Sequence, residues 1–166
     1  TAESIVCYCY ITYPGWKTGE VLRDAIQLHS SLANDEKTAQ SSARAMLTYL
    51  SLGTSPDNPQ NAALKTFIEQ AEKQSDVDFA LHYLQGLNQP CYFVDFYSQI
   101  TQTGFAYVGD VRAYTELARH YGDQVSRLHE TICPENTTYL RQQYLDFAVN
   151  RSQRFSMLVS QERAEA

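Results

Sequence analysis

The sequence predicts an all-α fold: an irregular bundle of about six helices with an extended, Cys-rich N-terminal arm. Three observations lead there. Apolar residues recur at three- and four-residue spacing through most of the chain, the spacing of one helical face. The 7 Gly and 5 Pro fall between those periodic stretches and act as punctuation. At 166 residues, 43% apolar and 19% charged, the chain can bury one core without obligatory metals or disulfides. The expected organisation is therefore a single helical domain over residues 1–166, with an arm over 1–17, a bundle over 18–161 and a frayed tail over 162–166.

The arm, residues 4–16, is rich in β-branched and aromatic side chains and ends at Pro14-Gly15, which predicts extended chain or a short strand. Thr18 then caps a helix over 19–33 carrying Val21, Leu22, Ala25, Ile26, His29 and Leu32, and Asn34 stops it. A second helix spans 35–52 on the stripe Ala39, Ala43, Met46, Leu47 and Leu50, closed by Gly53. Pro56 and Pro59 mark a loop over 54–60. Leu64, Phe67, Ile68 and Ala71 define a third helix, and Ser75 starts a fourth with Val77, Ala80, Leu81 and Leu84 inward. Pro90 opens a fifth, aromatic helix through Tyr92, Phe93, Phe96, Tyr97 and Ile100, ended by Gly104. After a short apolar run over 105–108, Asp110 caps a helix reaching Ile132 with a kink at Gly122. Cys133-Pro134 breaks the pattern, and a last helix runs from near Glu135 to Gln161.

Net charge is −6, which disfavours a nucleic-acid role because phosphate binding draws on clustered Lys and Arg. No apolar run approaches the ~20 residues of a membrane span. The chain opens Thr1-Ala2-Glu3 without Met, which reads as an upstream segment removed. Together with the even cysteine count, that opening predicts a secreted or periplasmic location.

Among candidate sites, Cys7, Cys9, Cys91 and Cys133 are expected to form two disulfides, each arm cysteine pairing with Cys91 or Cys133. The competing arrangement is a metal site of Cys7, Cys9, His129 and Cys133. The 12 Tyr are an outlier, and Tyr8, Tyr10, Tyr13 and Trp16 of the arm are the expected binding surface, since strand alternation cannot turn them all inward. Glu116 and His120, one helical turn apart, form the one base-and-orienter pair. No hydrolase elbow, Ser-x-x-Lys pair, His-Glu-x-x-His helix or phosphate-cradling loop is present.

These features predict an extracytoplasmic helical protein-binding module of the inhibitor, immunity or assembly-factor type, acting through an acidic, Tyr-rich surface on another, basic protein, with no cofactor. The alternatives are a metal-dependent or hydrolytic enzyme using Glu116 and His120, and a carrier of a small apolar ligand lined by the aromatic fifth helix.

Overall fold

The computed structural model describes residues 4–54, 57–59, 61–85 and 89–166. Of the expected loop over 54–60, residues 55, 56 and 60 lie outside the described residues, as do residues 1–3 of the arm. The chain forms two compact units, one of residues 17–89 and one of residues 1–16 with 90–166.

The unit of residues 17–89 is helical. Helix α1 (Lys17–Ser30) buries Gly19, Leu22 and Ile26 on one face. Helix α2 (Glu36–Gly53) starts where the Asp35 carboxylate accepts the Thr38 N–H at 2.9 Å, and it buries Ala43 and Leu47. Helix α3 (Asn61–Glu72) buries Ile68 and Ala71, and α1, α2 and α3 pack against one another. Helix α4 (Asp76–Phe79), capped by Ser75, runs straight into a π-helical stretch over Ala80–Leu84. The wider π turn adds a residue per turn and rotates the face. The inward side chains are therefore Phe79 and Tyr83, while Val77 and Leu81, expected to be buried, are 70% and 43% exposed. Arg44 from α2 closes this corner: its guanidinium lies 4.0 Å over the Phe79 ring and donates to the carbonyls of Ala71 and Gln74.

The second unit overturns the all-α expectation. It holds a three-stranded antiparallel sheet of order β1-β3-β2, formed by β1 (Val6–Ile11), β2 (Phe105–Asp110) and β3 (Gln153–Ser160). The expected Cys-rich arm is thus an edge strand, hydrogen-bonded along its length to β3 with Tyr10 opposite Arg154 and Val6 opposite Leu158. Helix α5 (Phe93–Gln102) packs on β2 and on α7 (Thr138–Val149). Tyr10, Phe93, Phe96, Ile100 and Leu158 form the core between them.

The helix expected from Asp110 to Ile132 is broken. Two 3-10 turns, Ala113–Glu116 and Ala118–Tyr121, precede a shorter α6 (Asp123–Ile132). Gly122, at φ 120°, ends the run of turns in a conformation that a helix cannot include. The expected last helix is also cut in two. Asn150 takes the left-handed conformation (φ 50°) and caps α7, and the chain then leaves as β3, the central strand. A short α8 (Gln161–Ala164) follows, started by the Ser160 hydroxyl accepting the Arg163 N–H.

Candidate functional site

The sheet face that meets α5 and α7 is polar at its centre. Strand β3 turns Arg154, Ser156 and Leu158 inward, and Arg154 and Ser156 have no solvent exposure at all. A guanidinium in such a place must be neutralised and hydrogen-bonded. Asp146 of α7, also fully buried, receives it in a fork, Nε to Oδ2 at 2.8 Å and Nη2 to Oδ1 at 2.7 Å. Nη2 also donates to the Gln142 side-chain oxygen at 3.2 Å, Nη1 to the Tyr107 hydroxyl at 3.3 Å, and the flat of the group lies 4.1 Å over the Phe93 ring. Burial alone would lower the Arg154 pKa, but the hydrogen bond and charge of Asp146 outweigh it and the pKa rises.

Asp146 serves a second arginine. Arg151 donates from Nε to Oδ1 at 2.6 Å, and its Nη2 reaches the Thr115 carbonyl at 2.7 Å and the Tyr121 hydroxyl at 3.2 Å. On the other side, the Tyr107 hydroxyl donates to Glu116 Oε1, and Glu116 Oε2 accepts the Asp110 N–H at 3.0 Å. A β-bulge makes that last bond: the register shifts between Tyr107 and Gly109, and Gly109 sits at φ 145°, where a side chain is strained. Asp110, 2% exposed, accepts the N–H groups of Arg112 (2.9 Å) and Phe155 (3.1 Å). Burial pushes the Tyr10 and Tyr107 hydroxyls well above the ordinary phenol range, so both stay protonated as donors and acceptors.

Two surface clefts open onto this network. One, of about 390 Å³, is lined by Glu116, Arg119, His129, Glu130, Arg141 and Gln142 among others. The second, of about 300 Å³, includes Asp110, Arg112, Tyr121, Arg151 and Phe155. Each cleft therefore borders at least two members of one buried chain of hydrogen bonds.

The residues singled out from the sequence are placed differently from what their spacing implies. The four cysteines are free, Cys7 and Cys9 exposed, Cys91 half-buried and Cys133 buried. The expected disulfides are thus corrected by the strand geometry. Cys91 pairs with Thr12, three residues beyond Cys9, or roughly 10 Å along an extended chain, which is past bridging distance. Cys133 instead lies 3.2 Å from His129 Nδ1. Of the alternative metal set, His129 and Cys133 are thus in contact. Among the described residues no group of three or more His, Cys, Asp or Glu could hold a metal ion.

Glu116 and His120 fall on separate 3-10 turns rather than one helix face. Glu116 is committed to Tyr107 and Asp110, and His120 contacts the rings of Tyr114 and Tyr121, at 4.8 and 5.1 Å. Of the expected binding surface, Tyr8 is 52% exposed and Tyr13 half-buried, but Tyr10 and Trp16 are core residues, 6% and 8% exposed. The aromatic α5 meets a shallow depression of about 410 Å³ with Tyr97 and Tyr139 stacked at 5.1 Å. The network itself was missed because Arg154 and Ser156 read as helix surface. Phe155 and Leu158, three residues apart, fit a helical stripe, so the sequence carries no local signal for them.

His129 offers a pH prediction. Burial, and then the charge of Arg141, hold its pKa below the ordinary value. The unfolded imidazole therefore takes a proton before the native one does, so stability is full above about pH 6.5 and falls as pH drops below it. Urea midpoints measured from about pH 7 to about pH 5 are expected to fall less in His129→Gln than in the wild type. Parallel profiles would refute a buried neutral His129.

Residues 75–160, just over half of the chain, match the family model described as a predicted methyltransferase regulatory domain. An uncharacterized protein of Rickettsia prowazekii (strain Madrid E) is 26% identical over 160 residues, covering 95% of this chain and 28% of that protein. The structure of PKMT2 from Rickettsia typhi superposes with a TM-score of 0.72 at 21% identity, over 98% of this chain and 30% of that one. PKMT2 in complex with AdoHcy gives 0.74 at 22% identity, over 98% and 31%. The chain thus spans less than a third of the length of these relatives. At these identities the solved structures establish the fold. The family match replaces the expected inhibitor, immunity or assembly factor, and the free cysteines remove the expected disulfides as its ground. No described helix is long and apolar enough to cross a membrane.

Proposed function

Because the chain belongs to the predicted methyltransferase regulatory domain family, we propose that it is a non-catalytic module whose protein partner is a methyltransferase. The observation that carries this reading is the state of its interior acids. Asp146, Asp110 and Glu116 each have both carboxylate oxygens engaged by other protein groups, which commits them to holding the network together. The topology supports the same reading. The crevice at which open α/β sheets hold nucleotide-like cofactors, where parallel strands diverge, is not a feature of the antiparallel β1-β3-β2 sheet. Two clefts bordering one rigid network suit a domain that is bound and positions what it binds, rather than one that reacts.

The test pairs the chain with a methyltransferase catalytic segment from the same source and follows methyl transfer from S-adenosylmethionine as the chain is added. The expected result is a saturable change in rate or in substrate KM, with no calorimetric binding of S-adenosylhomocysteine to the chain alone. A rate indifferent to the chain overturns regulation, and tight S-adenosylhomocysteine binding overturns the non-catalytic assignment.

A further inference from the structure

We propose that the cleft between the end of β2 and the α7–β3 junction is a carboxylate-binding site, with Arg112 and Arg151 as its cationic wall. The inference goes beyond the regulatory reading and does not depend on it. Arg112 is exposed, and among the described residues no acid pairs with its guanidinium, which is held 4.9 Å over the Phe155 ring. An arginine stacked on an aromatic face keeps its fork of N–H donors available at little further entropic cost. Arg151, with a side chain only 10% exposed, is fixed by Asp146, the Thr115 carbonyl and the Tyr121 hydroxyl. Its Nη1 has no protein partner among the described residues. The site is therefore built before any ligand arrives.

Geometry selects the ligand. Asp146 is shared by Arg154 and Arg151, which leaves one positive charge on that trio. Arg112 adds a second, and Asp110 with Glu116 on its N–H balances both, so a ligand is held by placed N–H donors rather than by a net charge. A carboxylate, with two coplanar oxygens and a single charge, suits such donors better than a phosphate dianion. The planar guanidinium fork fits the same group. Val149 and Phe155 complete the wall with apolar surface for the methylenes of an aspartate- or glutamate-like stem. At about 300 Å³ the cleft accepts one such stem and little more. The carboxylate can come from an acidic peptide segment or from a small free acid.

Calorimetry on the whole chain at low ionic strength distinguishes the outcomes, with N-acetyl-hexaglutamate amide, its glutamine counterpart, glutarate and inorganic phosphate as probes. The glutamate peptide or glutarate is expected to bind and the glutamine peptide not to. Arg112→Ala, whose fold is verified by circular dichroism, is expected to weaken that binding about tenfold, the loss of one charge-assisted contact. A tighter peptide assigns the carboxylate to an acidic segment, and a tighter glutarate assigns it to a small acid. Equal affinity in wild type and Arg112→Ala, equal binding of the glutamine peptide, or displacement of the carboxylate by phosphate at lower concentration would each overturn the site.

Discussion

Asp146→Asn is expected to lower the unfolding free energy by about 3–5 kcal/mol, the usual result of removing one partner from a buried ion pair. The replacement keeps the shape of the side chain but not its charge, and it turns one acceptor into a donor. Asp146 has no solvent exposure and holds two arginines, Arg154 through both oxygens and Arg151 through Oδ1. An amide in its place faces a guanidinium with its own N–H groups and leaves two cations without a counter-ion in the interior. Arg154→Met is the comparison. It removes one cation, leaves Asp146 its 2.6 Å bond to Arg151, and fills much of the same space, so its loss is expected to be the smaller. Urea unfolding followed by circular dichroism measures both. If Arg154→Met cost more than Asp146→Asn, the acid would not be the centre of the network.

Gly15→Ala is the second large effect, and its cause is steric. Gly15 donates its N–H to the Arg151 carbonyl at 2.8 Å, which brings the chain after β1 against the α7–β3 junction. A Cβ at this position would collide with the Asn150 carbonyl oxygen and lie 2.6 and 2.7 Å from the Arg151 carbonyl carbon and oxygen. All three are backbone atoms, and they belong to the segment that carries Arg151 to Asp146. They cannot swing aside as a side chain can, so the expected loss is about 1–3 kcal/mol, toward the upper end. Gly53→Ala is the control. Nothing lies within 4 Å of its added Cβ, and the residue ends a helix, so stability should hold or rise slightly. A Gly15→Ala protein as stable as the wild type would show that this passage of backbone is looser than the contact implies.

Where the apolar spacing is regular, the elements were legible. Helices α1, α2, α3 and α5 lie where Leu22 and Ile26, Ala43 and Leu47, Ile68 and Ala71, and Phe93, Phe96 and Ile100 place them. Strand β1 was legible as extended chain from its β-branched and aromatic content, but not as one member of a sheet. Strand β3 was not legible at all. Its inward positions include Arg154 and Ser156 while Phe155 and Met157 are only half-buried, which inverts the pattern by which strands are read. The site went with it, since Glu116 acquires its partners only when a bulge at Gly109 brings the Asp110 N–H to it.

Local chemistry was enough for most helices and for the punctuation by Gly and Pro, because each depends on neighbours within a turn or two of the chain, and composition alone was enough for the acidic balance. The sheet, the free state of Cys7, Cys9, Cys91 and Cys133, and the joining of Arg154 to Asp146 depend on residues far apart in sequence. Arg154 looks like surface in any window of the chain. It becomes the centre of the interior because α7 delivers Asp146, α5 delivers the Phe93 ring and β2 delivers the Tyr107 hydroxyl to the same point. A charge can be buried only where its compensation is already assembled, and that assembly is a property of the tertiary fold.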